Sequence, residues 1–140
     1  QILTESGLLP GALLHNDSHK FICKNTYLKA ETKNTLVTNQ YAKKAIKMPI
    51  AHGEGKYFAD EKTIKYLIQN NQILFKYCDE IGDITEQANP NGSLLNIAGV
   101  CNADRNVFGM MPHPERASDK ELNNQDGLTL FKSILSEILL

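Results

Sequence analysis

The stretch Met110-Met111-Pro112-His113-Pro114-Glu115-Arg116 sets an imidazole and a carboxylate two residues apart, with a proline on each side of the His. Proline lacks an N–H and fixes φ at about −65°, so Pro112 and Pro114 stiffen the backbone against helix and ladder pairing. In an extended chain, residues i and i+2 point to one side. Glu115 can then accept a hydrogen bond from one nitrogen of His113, leaving the other to move a proton. That is the base and orienting half of a nucleophilic triad. An imidazole titrates near neutral pH, and a positioned base contributes about 10²–10⁴-fold in rate. On spacing alone, the same stretch also reads as a rigid surface turn with an incidental His.

Other candidates carry less. Cys101, in Gly99-Val100-Cys101-Asn102, lies a dozen residues before His113 across an expected hairpin. A reactive thiol needs a helix N-terminus or a nearby cation to lower its pKa. Cys101 instead ends an apolar run and reads as a buried structural thiol, as do Cys23 and Cys78. His52-Gly53-Glu54-Gly55 follows an apolar run, where strand-end loops often carry sites, but it equally reads as a polar turn. His15 and His19 read as solvated surface. No His, Cys or carboxylate group has metal-ligand spacing, and no glycine-rich phosphate loop is present.

The elements that must position these residues follow from pattern. Residues 1–7 read as the end of a helix stopped by Gly7. Extended segments are expected at 20–30, 35–41, 45–51 and 72–78, with Pro49 marking an edge. Asp60 caps a short helix over 61–69. Residues 79–93 form a loop with a turn at Asn91-Gly92. Two apolar runs, 95–101 and 107–111, form a hairpin. A final amphipathic helix from Asp126 is expected to bury Leu128, Phe131, Ile134, Leu135 and Ile138. The mixture implies the α/β class.

Composition bounds the rest. The 140 residues fit one domain or part of one, enough to bury roughly two-thirds of the unfolded surface. A net charge of −1 with scattered Lys and Arg argues against a nucleic-acid footprint. No run of about 18 apolar residues predicts a membrane span, and no signal-peptide pattern opens the chain. The three cysteines form no CxxC, which suits reduced thiols in a cytoplasmic protein. The first residue is Gln1, and its helix has no visible start, so a portion of a longer domain is expected.

Taken together, Pro49-Ile50-Ala51-His52-Gly53-Glu54-Gly55, Gly92-Ser93 through Asn96-Ile97-Ala98-Gly99, and the segment from Gly109 to Arg116 resemble the class I glutamine amidotransferases. Among these they resemble the glutaminase subunits of phosphoribosylformylglycinamidine synthase, and Gln1-Ile2-Leu3 and Phe21-Ile22-Cys23-Lys24 are similar too. The resemblance implies a flavodoxin-like α/β domain with a Cys-His-Glu triad, in which His113 and Glu115 match the triad His and Glu. The nucleophile of this family sits at an elbow of form G-x-C-N-G-F-Q. Gln1 matches its last residue, a holder of the substrate glutamine, and the Cys would fall four residues before Gln1.

On this resemblance residues 1–140 are the C-terminal portion of a single amidotransferase domain, without the N-terminal strands and the elbow. The implied partners are glutamine, a synthetase subunit and its small accessory subunit. The implied reaction releases ammonia for conversion of formylglycinamide ribonucleotide to the amidine in purine biosynthesis. ATP and Mg²⁺ belong to the synthetase, and this chain needs no cofactor or metal of its own. The chain alone is expected to be inactive, because losing a nucleophile costs about 10⁶-fold in comparable hydrolases, and to expose apolar surface. Two alternatives remain open at this point: a non-catalytic module that docks on the synthetase, and a cysteine hydrolase using Cys101 and His113. His52 and Glu54 have no assigned step.

Overall fold

Gly7 leaves the first helix with φ 75°, a left-handed stop that glycine adopts without strain. The computed structural model describes residues 1–139. Along the chain run α1 (Ile2–Glu5), β1 (Ala12–Leu14), β2 (Ile22–Ala30), β3 (Ile46–His52), β4 (Lys56–Phe58), α2 (Glu61–Gln69), β5 (Ile73–Cys78), β6 (Ile97–Cys101), β7 (Phe108–Met110) and α3 (Leu128–Ile138). Asp60 caps α2 as expected, its Oδ1 accepting from Thr63 N at 2.7 Å.

The main sheet has the order β3-β2-β5-β6-β7, and β1 pairs with β4 in a separate ribbon. Every pairing among the described residues is antiparallel. The mixed α/β class therefore holds, while no parallel ladder lies among these strands. In β3, Ile46, Met48, Ile50 and His52 are buried and alternate with outward residues, the period-two mark of a strand covered on one face. One apolar cluster, around Leu28, Met48, Phe75 and Leu130, fills the concave side. A second, around Leu9, Tyr57, Leu67 and Ile97, packs the other side under α2 and the small ribbon.

The sheet curls until its two ends meet through the chain that follows β7. Met111 N donates to Ala98 O at 3.0 Å, and His113 N donates to Pro49 O at 2.9 Å. The same free edge of β3 is covered further along, where Lys47 N donates to Asp126 Oδ2 and Asn124 Nδ2 donates to Lys47 O. An edge strand's unpaired groups are thus satisfied by side chains and loop backbone. Pro49 fits this edge, since its missing N–H is not needed there.

Three expected features differ. Residues 35–41 form turns, not a strand: Thr38 N and Asn39 N both bond Thr35 O, and Val37 and Tyr41 are buried in the concave cluster. The strand expected at 72–78 forms with an irregular ladder: register shifts between Ile73 and Lys76 accompany burial of Leu74 as well as Phe75 and Tyr77. α3 turns a different face inward. Leu130 and Ser133 are buried, while Phe131, Leu135 and Ile138 are exposed. Ser133 goes inward because its Oγ accepts from Gln40 N at 3.2 Å, which ties the helix to the 35–41 turns. Among the described residues, no helix is long and apolar enough to cross a membrane.

Candidate active site

His113 Nδ1 lies 2.7 Å from Glu115 Oε1. A carboxylate can only accept, so Nδ1 carries the proton and Nε2 is left with its lone pair. Nε2 meets no hydrogen-bond partner among the described residues. The backbone that achieves this differs from the extended chain expected. His113 is extended, at φ −103° and ψ 92°, but Pro114 opens a 3-10 turn, Pro114–Ala117, that contains Glu115. Proline suits the first position of such a turn, where an N–H would be unpaired anyway. Arg116 N closes the turn on His113 O at 3.2 Å. The turn brings Glu115 back to the imidazole, and Arg116 Nε stands 3.7 Å from the same carboxylate oxygen.

Gln1, the N-cap of α1, sits beside the 52–55 loop. Its Nε2 donates to Glu54 Oε2 at 2.9 Å and to Glu5 Oε1 at 2.8 Å. Glu54 Oε1 also lies 3.4 Å from His15 Nε2. A cavity of about 140 Å³ runs between α1 and the β6–β7 hairpin, with Gln1, Leu3, Ile97, Met110 and Met111 among its walls. Gln1 and the strand leading to His113 therefore border one space.

The 52–55 loop rests on buried amides. Asn91 Nδ2 donates to His52 Nε2 and to Gly55 O, both at 2.9 Å. Asn91 Oδ1 accepts from Ser93, from N at 3.1 Å and Oγ at 2.8 Å, which fixes the amide's orientation. His52 Nε2 is therefore an acceptor, and its buried Nδ1 has no partner among the described residues. Burial lowers the His52 pKa, and charge on His113 lowers it further. A Cβ at Gly55 would overlap the His52 ring, so any side chain there must displace it.

None of the three thiols stands next to His113. Cys101 ends β6 opposite Phe108, three residues beyond the Ala98 carbonyl that holds the His113 segment. That is about 10 Å along a strand. It is buried, and burial raises its pKa. Cys78 is buried as well, its thiol pushed up to about 11 by desolvation. Cys23 is exposed on β2, with β3 between it and the His113 segment, a separation of about 10 Å. The Cys101 hydrolase fails on this geometry. Among the described residues, no group of three or more His, Cys, Asp or Glu could hold a metal ion.

Sequence reasoning overlooked Asn16 and Asn91. A turn asparagine reads as solvated in sequence, yet Asn16 is 0% and Asn91 2% exposed.

Residues 1–132 match the profile of the CobB/CobQ-like glutamine amidotransferase domain. The chain is 52% identical over 136 residues to phosphoribosylformylglycinamidine synthase subunit PurQ of Methanocaldococcus jannaschii, covering 96% of this chain and 59% of that protein. It is 54% identical over 140 residues to the subunit of the same name from Acaryochloris marina, covering 99% and 60%. Its fold matches a chain in the structure of PurLQS from Thermotoga maritima with a TM-score of 0.81 and 42% identity, over 99% of this chain and 57% of that one. The chain thus spans about 60% of the length of the curated relatives it matches. It belongs to the family of CobB/CobQ-like glutamine amidotransferase domains.

Proposed function

We propose that this chain supplies the acid–base half of a glutaminase, as the C-terminal portion of one amidotransferase domain. The observation that carries the reading is His113 Nδ1 held at 2.7 Å by Glu115, with Nε2 left open. In this scheme His113 Nε2 takes the proton of a cysteine thiol, and the resulting thiolate attacks the side-chain amide carbon of glutamine. The C–S bond forms, the C–N bond breaks, and His113 Nε2 gives its proton to the departing ammonia. His113 then takes a proton from water, which attacks the thioester and releases glutamate and the thiol. Glu115 keeps the imidazole in the tautomer this requires and stabilises its charged form. Gln1 binds the substrate glutamine.

The nucleophile is placed in the part of the relatives' length that this chain does not span. Support comes from the position of the three thiols away from His113, and from α1, which buries none of its own residues. Its Ile2 is 80% exposed, an apolar surface suited to contact with further chain. A flavodoxin-like parallel core in that further chain would complete the domain.

The relatives' names point to phosphoribosylformylglycinamidine synthase as the assembly. Ammonia would pass to its synthetase subunit, with the small accessory subunit, for conversion of formylglycinamide ribonucleotide to the amidine in the cytoplasm. ATP and Mg²⁺ would be held by the synthetase, not by this chain.

The test is release of glutamate from glutamine. Residues 1–140 alone should release none above the blank, and the complete gene product with its synthetase should turn over. Turnover by residues 1–140 alone, or full turnover after His113→Ala in the complete protein, overturns the proposal.

A further inference from the structure

The 52–55 loop carries Glu54 on its tip, and both ends of that loop are gripped by buried asparagines from distant parts of the chain. Asn16 grips one side. Its Nδ2 donates to His52 O at 2.8 Å, its Oδ1 accepts from Gly55 N at 3.1 Å, and its own N donates to Gly53 O at 3.0 Å. Asn91 grips the other through His52 Nε2 and Gly55 O. Each Asn is itself fixed, Asn16 by donation to Lys20 O at 2.8 Å and Asn91 by Ser93. A buried amide with every hydrogen bond made holds one geometry, since any shift strands a polar group out of reach of water.

What this holds in place is a carboxylate aimed at Gln1. Both hydrogens of the Gln1 amide go to carboxylates, one to Glu54 and one to Glu5. Carboxylates accept only, so the amide nitrogen must face them and the carbonyl Oε1 must face away. Gln1 is thereby set as an acceptor, suited to an N–H donor such as the amide or ammonium of an amino acid.

We infer that Asn16 and Asn91 are positioning residues for substrate binding: they hold the 52–55 loop so that Glu54 fixes the Gln1 side chain as a hydrogen-bond acceptor. This rests on the glutaminase reading and adds to it a role for the loop. Neither Asn touches substrate; both act through Glu54.

The experiment uses the complete gene product with its synthetase and measures glutamine hydrolysis and thermal melting for Glu54→Ala, Asn91→Ala and the double variant. Loss of a charged hydrogen bond predicts a KM for glutamine raised about tenfold or more in Glu54→Ala, with kcat changed less than about threefold. Asn91→Ala should raise KM in the same way. In the Glu54→Ala background it should raise KM by no more than about twofold further, because both act on one contact. A full additional tenfold in the double variant, or a loss confined to kcat, overturns the inference. If Asn91→Ala does not fold, Glu54→Ala decides alone: an unchanged KM refutes it. His113→Ala is run beside these. If it keeps full turnover, the glutaminase reading itself falls. If it abolishes turnover while KM is untouched in Glu54→Ala, only the present inference falls.

Discussion

Two histidines, each paired to a neighbour within 2.9 Å, have opposite characters in this molecule. His113 pairs through Nδ1 with an exposed carboxylate and keeps Nε2 open. His52 pairs through Nε2 with a buried amide donor and has Nδ1 sealed in the interior. A proton arriving at His113 meets a counter-ion and water. A proton arriving at His52 would set an N–H against the Asn91 N–H group with no charge to balance it. Base chemistry depends on which ring nitrogen is left over and on whether the resulting charge can be stabilised, more than on having a partner at all.

The sharpest way to break that comparison is to remove each imidazole. In the complete gene product His113→Ala should lower glutaminase kcat by about 10⁴-fold with little change in melting temperature. His52→Gln should leave most of the turnover. Equal losses in the two variants would erase the distinction. Next in size is Glu115→Gln, which removes the charge that orients His113. A buried orienting carboxylate is worth about 10⁴-fold. The Glu115 side chain is 57% exposed, so water already screens it, and a loss nearer 10–10²-fold in kcat is expected. A full 10⁴-fold loss would mean that Glu115 is covered by further chain in the working enzyme.

A third test addresses His52 as a packing element. Gly55→Ala drives a methyl group into the His52 ring. Overpacking of this kind destabilises by about 1–3 kcal/mol, to be read as a lower urea midpoint. An unchanged midpoint would show that the ring moves aside freely, and the loop would then not be held as described.

Sequence legibility divides along similar lines. The pairing of His113 with Glu115 was legible because it depends on local spacing, although the 3-10 turn that joins them was not. The Asp60 cap and the β6–β7 hairpin were legible for the same reason. Asn16 and Asn91 were not, because a turn asparagine looks alike in sequence whether it faces water or a carbonyl 36 residues away, as Asn16 faces His52 O. The face of α3 was misjudged because Ser133 counts as polar in any periodicity, and only the Gln40 N–H makes its burial favourable. The curl that brings His113 to Pro49 is set by pairings between strands far apart in sequence, which period-two patterns do not specify.

The smallest effect is the most specific to His52. Its pKa is lowered in the folded protein, chiefly by burial and then by charge on His113. In the unfolded chain it returns to its ordinary value of 6.5. Above that value both states carry the neutral ring, and His52 adds no pH dependence. As pH falls through 6.5 the unfolded state takes up a proton that the folded state resists, so stability drops with acidification. The loss should develop as pH falls below that point, before the carboxylates titrate. His52→Gln keeps an acceptor for Asn91 and does not titrate, so urea midpoints of this variant should fall less steeply over the same window. Parallel curves would mean that the folded protein takes up the His52 proton as readily as water does, and the buried pair would then differ from the exposed one in packing alone.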